Sequence, residues 1–161
     1  MAVLGLVAIP IVHAAKPVKT PGSTDPLVLD TGFGCAFDVE LRPDADAKYT
    51  QTEFSDGRIK FTSNAVVTVT NLSNGKSIRL KDRGSLTQEY DAAANDLLIE
   101  SSGHTFYWFF PGDQTPLGEA GANGALVHVV GHVREAWDLD QDLITSFALD
   151  GNATELCSLI A

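Results

Sequence analysis

The densest chemistry in the chain is the run Thr105-Phe-Tyr-Trp-Phe-Phe110. Successive side chains of a strand point to opposite faces, so Phe106, Trp108 and Phe110 share one face and Tyr107 and Phe109 the other. Bulk on both faces must be buried twice or leave an aromatic patch in water. The plainer reading is that one face builds the core and the other lies under the loop that follows, residues 111–124. The functional reading is that Tyr107 and Phe109, with Trp137 at the end of a later strand, line a ligand groove gated by that loop. Aromatic faces suit sugars, apolar chains and protein hot spots alike.

Other residue sets carry less. His128 and His132 share a strand face, but four residues of strand separate them by about 13 Å. Ligand nitrogens sit about 2 Å from a zinc ion. The pair cannot close on one metal, even with His104 as a third ligand, unless Gly131 is a bulge; solvated histidines are the plainer reading. Asp138, Asp140 and Asp142 match the first ligands of a calcium loop. Leu143 then stands where the loop needs Gly, and Leu149 where it needs Glu, so an acidic turn is the plainer reading. No Gly-x-Ser-x-Gly is present to present a nucleophile. Spacing alone singles out no carboxylate pair among 21 acidic residues. No catalytic residue, metal ligand or cofactor is therefore assigned.

Cys35 and Cys157 are the only cysteines. An even count in an exported chain reads as one disulfide; two separate buried thiols are the alternative. Export is expected from Met1 to Ala15. Residues 2–12 are uncharged and apolar apart from Gly5 and Pro10, and too few to span a bilayer, which takes roughly 20 residues. Val12-His13-Ala14 fits a signal-peptidase site, so residues 1–14 read as a secretory signal cut after Ala14 or Ala15. The usual basic opening of such a leader is missing, which leaves an upstream start open. The competing reading is a buried N-terminal strand. No cysteine follows the apolar run to take a lipid anchor.

The elements that must position these residues are strands. Residues 15–33 hold three prolines and several turn formers and read as an extended linker. The domain is expected over 34–161. Cys35, Phe37, Val39 and Leu41 alternate with Ala36, Asp38 and Glu40, the period of a half-buried strand. Asp56-Gly57 marks a hairpin. Ala65 to Asn71 is rich in β-branched residues, with Ser63-Asn64 as a candidate bulge before it. Asn74-Gly75 is another tight turn. Further turns are expected at Ser102-Gly103, Asp138–Asp142 and Asp150-Gly151, with a single helical turn possible at Ala92-Ala93-Ala94. Two prolines and four glycines keep residues 111–124 from forming a helix. The reading is all-β: an antiparallel, hairpin-linked meander of roughly eight to ten strands closed as a β-barrel, with a two-sheet β-sandwich as the alternative.

Five segments in order carry a family resemblance: Gly34-Cys35-Ala36-Phe37, Phe54-Ser-Asp-Gly-Arg58, Val67 to Ser77, Trp108-Phe-Phe-Pro-Gly-Asp113, and Ile144 to Phe147 followed by Gly151 to Cys157. Together they resemble a group of small secreted actinobacterial proteins over roughly residues 33–160. The resemblance implies export and a disulfide between first and last core strands. It brings no activity and no catalytic residue. Asp138 to Leu143 departs from the Asp-Gly turn the group tends to have there, which leaves the type of that turn open.

Net charge is -10, with 11 Lys and Arg against 21 Asp and Glu. That balance argues against nucleic acid and against anionic lipid surfaces. Hydrophobic residues make 44% and charged residues 20%, enough for a packed core. Asn71-Leu-Ser73 and Asn152-Ala-Thr154 match a glycosylation pattern but are ordinary turn chemistry. The expected function is a secreted, non-catalytic binding or interaction module; a barrel carrying a small apolar ligand and an extracellular hydrolase are the alternatives. The expected partner is an extracellular protein, a glycan or a small apolar ligand.

Overall fold

A computed structural model describes residues 16–161, so the expected leader lies outside the described residues. Eleven strands and one helical turn follow in order. They are β1 (Val18–Pro21), β2 (Leu27–Leu29), β3 (Val39–Pro43), β4 (Lys48–Glu53), β5 (Ile59–Asn71), β6 (Ser77–Asp91), β7 (Asp96–Phe109), β8 (Gln114–Thr115), β9 (Gly118–Glu119), β10 (Ala125–Asp138), β11 (Leu143–Glu155) and α1 (Cys157–Ile160). All pairings are antiparallel.

The main sheet has nine strands along the path β1-β4-β5-β6-β7-β10-β11, with β3 also on β5 and β2 on β3. Its end strands do not pair with one another. The long strand β5 hosts two partners: β4 on Ile59 to Asn64 and β3 on Val67 to Asn71. Ser63 and Asn64 pair one for one with Gly84 and Arg83, so the expected bulge is absent. The extended lead-in supplies the edge strands β1 and β2, whose residues are mostly exposed.

Asp56-Gly57 and Asn74-Gly75 turn the chain between β4, β5 and β6 as expected. Two other glycines correct the sequence reading. Gly103 and Gly151 sit inside continuous strands, β7 and β11, rather than in turns. Register explains why. Gly84 pairs with Gly103, Gly103 with Gly131, and Gly131 with Gly151. Four glycines thus form one row across β6, β7, β10 and β11. Gly103 has φ +99°, and a Cβ there would lie 2.3 Å from the Arg83 carbonyl oxygen. The neighbouring backbones approach more closely than any side chain permits.

The row is a crease. Beyond it β6 leaves β7: Arg83 to Asp91 pairs with Asp96 to His104, whereas Ser77 to Lys81 pairs only with β5. β7 instead continues with β10, Thr105 to Phe109 against Ala125 to Val129. The two splayed halves enclose the first core, built from Leu41, Val67 and Val69 on one side and Leu126 on the other, closed by Leu156 and Ile160. A second core lies on the opposite face of β7, β10 and β11, with Phe109, Val127, Val129 and Val133 at its centre.

Cys35 and Cys157 form the expected disulfide, with Cα atoms 5.6 Å apart. Its placement differs from expectation. Cys35 precedes β3 in an irregular segment, and Cys157 opens the terminal helical turn instead of lying in a last strand. Buried Asn71 fastens this corner: its Nδ2 donates to the Ile160 carbonyl at 3.0 Å while its Oδ1 accepts from the Ser73 amide at 2.8 Å. Among the described residues no helix is long and apolar enough to cross a membrane.

Candidate functional site

The aromatic strand does have bulk on both faces, and the two faces meet different surroundings. Tyr107 and Phe109 are buried, at 6% and 0% exposure. Their rings stack at 5.9 Å, and Phe147 of β11 meets both edge-on at 5.6 and 5.5 Å. Over them lies the segment after β7, which folds into the small β8–β9 hairpin. Asp113 staples it down: one carboxylate oxygen accepts from the Phe110 amide at 2.7 Å and the other from Ile144 of β11 at 2.8 Å. The loop is a fixed cover over an aromatic core layer.

Trp137 is not part of that layer. The cluster around Tyr107 and Phe109 takes in Phe147 and Ile144 of β11 but not Trp137, which pairs with Leu97 near the far end of β10. Trp137 follows an irregularity in the β10–β11 register and pairs with Ile144. Its indole Nε1 is buried without a hydrogen-bond partner.

The opposite face, Phe106 and Trp108, opens onto a concavity. Where β6 and β7 part beyond the crease, a trough of about 490 Å³ remains at the mouth of the first core. Its walls are Tyr49 of β4, Phe61 of β5, Leu86 of β6, and Phe106 and Trp108 of β7, with Leu27 closing one side. Trp108 is 42% exposed there. The volume falls in the usual range of small-molecule sites.

Two carboxyl groups line this apolar trough, Asp25 at its mouth and Asp82 on its inner wall. Asp82 follows Ile78 and Leu80 in the same alternating register of β6, so its side chain turns to the concave face. Ser63 Oγ donates to its Oδ1 at 2.8 Å and accepts from the Gly84 amide at 3.1 Å. Burial pushes the Asp82 carboxyl above its ordinary range, while the Ser63 hydrogen bond pulls the other way. Burial likewise pushes the Tyr49 hydroxyl up, with Asp82 beside it adding to the effect. His128 stands behind this group with Nε2 on the Lys81 carbonyl at 2.9 Å. Burial lowers its pKa, so the neutral ring is favoured. His104 and Phe106 pack beside it at 5.6 and 5.0 Å between ring centroids.

His132 is exposed beyond Gly131, so the histidines do not converge. Among the described residues no three His, Cys, Asp or Glu side chains gather as a metal set. In the acidic turn, Asp138 Oδ1 accepts from the amides of Asp140 and Gln141 at 2.8 and 3.0 Å, which is turn capping.

Sequence reasoning named the aromatic strand but left Phe61, Leu86 and Asp82 unmarked. A signal for Asp82 was present: a carboxylate at an apolar position of the Ile78, Leu80, Asp82 alternation. No protein-family model, curated protein or solved structure matches the chain.

Proposed function

We propose that the protein is an exported, non-catalytic binding module that holds a small apolar molecule in the trough between β5, β6 and β7. One observation carries the proposal: a concavity of about 490 Å³ walled by Phe61, Leu86, Phe106 and Trp108 on rigid strands. The hydrogen bonding of nearby groups supports binding over turnover. Ser63 gives its proton to Asp82, and His128 is directed to a backbone carbonyl. No imidazole serves the Ser63 hydroxyl as a base, because His128 is turned to the Lys81 carbonyl. Export is supported by the apolar leader-like residues 1–14, by the Cys35–Cys157 disulfide and by the resemblance to secreted actinobacterial proteins. We read the splayed halves of the sheet as the two layers of a sandwich, in preference to a closed barrel.

The test uses N-phenylnaphthylamine, a neutral apolar dye that brightens out of water. It is expected to bind the disulfide-bonded chain and to lose about tenfold in affinity when Phe106 and Trp108 are both changed to Ala, roughly 1.4 kcal/mol. The same dye should bind a Leu139→Ala control, on the exposed acidic turn, as it binds the native chain. Equal binding to the Phe106→Ala, Trp108→Ala protein would remove the trough as the site.

A further inference from the structure

The trough is apolar, but its charge is one-sided. Among the described residues that line it there is no Lys or Arg, whereas two carboxylates are present: Asp82 on the inner wall and Asp25 at the β1–β2 side of the mouth. Sites for fatty acids or other anions place a cation or a row of donors against the anionic head. This trough offers the reverse. Its aromatic walls, Tyr49, Phe61, Phe106 and Trp108, present electron-rich faces that attract cations and do nothing for anions. The chain's net charge of -10 adds a long-range field of the same sign.

From this asymmetry, and resting on the binding reading above, we infer that the ligand is an amphiphile with an apolar body and a protonated amine head, and that Asp82 receives the amine. A carboxylate has about four lone-pair sites, and the Ser63 hydroxyl uses one of them. Ser63 also accepts from the Gly84 amide, so the carboxylate is held in place before the ligand arrives. The Tyr49 hydroxyl also stands beside Asp82; an ammonium group adds a charged donor on the remaining lone-pair sites, and an apolar tail covers Phe61, Leu86 and Trp108. A ligand with a carboxylate head would set two like charges together in an apolar site, which is unfavourable.

Three probes of equal chain length separate head group from tail: octylamine, octanol and octanoate, each titrated by calorimetry into the disulfide-bonded chain at matched ionic strength. Octylamine is expected to bind about tenfold or more tightly than octanoate, with octanol between them. In Asp82→Asn the advantage of octylamine over octanol is expected to shrink at least about fivefold while octanol affinity holds within about twofold. Octanoate binding as tightly as octylamine, or an amine preference that survives Asp82→Asn, would overturn the inference and leave the trough standing as an apolar site. Failure of all three probes would remove the trough itself. The comparison on the native chain decides the head-group preference even where Asp82→Asn does not fold, and Asp82→Ser, tested the same way, then decides the role of Asp82.

Discussion

Glu135 carries its carboxyl into the layer beneath the 111–124 cover, where it is 6% exposed and its Oε2 has no partner. Burial, and then the charge of Asp113, push its pKa up to about 8. The folded chain therefore keeps a proton that the unfolded chain loses above the ordinary carboxyl range. This contribution to stability is complete at acid pH, falls as pH rises through the window up to about 8, and is lost above it. Glu135→Gln removes the titration while keeping the shape. Urea midpoints should show the variant more stable than the native chain by a few kcal/mol at about pH 9, with a flatter pH dependence between about pH 5 and pH 8. Equal slopes for both proteins would mean that Glu135 is ionised or solvated throughout. At this scale the sequence marks faces but not what covers them. Alternation puts Tyr107 and Phe109 on one face and Phe106 and Trp108 on the other, yet period two does not say which face a later loop will cover. It does put Glu135 on the face of Val127, Val129 and Val133, opposite exposed Arg134, but does not say that β11 and the cover will bury that face.

Among the elements, the crease is what makes the trough possible. Four glycines in register let β6 and β7 part, and a side chain in that row would meet backbone carbonyls of the adjoining strand at 2.2 to 2.4 Å. Gly103→Ala adds a Cβ against Arg83 and Gly84 at a positive φ. A loss of about 2 kcal/mol or more is expected in thermal or urea unfolding. Gly121→Ala, where nothing lies within 4 Å, should change stability by less than about 0.5 kcal/mol. Similar losses for both would mean that the row is not under steric constraint. Hairpin turns at Asp56-Gly57 and Asn74-Gly75 were legible because Asp-Gly and Asn-Gly are local signals. Ser102-Gly103 and Asp150-Gly151 carry nearly the same local signal. Their role in mid-strand depends on which glycine faces them across the sheet, and that pairing is non-local. The terminal residues were missed for a related reason. Leu156 and Ile160 have the look of a strand, but they are drawn into the first core by one helical turn.

For the whole molecule, the disulfide joins positions 122 apart in sequence. Constraining so long a loop in the unfolded chain stabilises the fold by about 5 kcal/mol in the chain-entropy model. The double variant Cys35→Ser, Cys157→Ser is expected to unfold at a markedly lower urea concentration than the oxidised protein, by up to that amount. Coincident unfolding curves would show that the bond adds nothing to the folded state. Chain-level features were the most legible part of the sequence. The all-β class follows from period-two alternation, and the cysteine pairing from an even count of two.

The bond also sets what a protease can accomplish. Leu117, at the tip of the β8–β9 hairpin, is 55% exposed, and cleavage beside it would cut the chain between the two bridged cysteines. The two pieces would stay covalently joined through Cys35 and Cys157, and the many strand pairings between them would remain in place. A nicked molecule would migrate as one species until a reductant was added, and only then as two fragments. Backbone continuity and molecular integrity are thus separate properties over nearly the whole length of this domain.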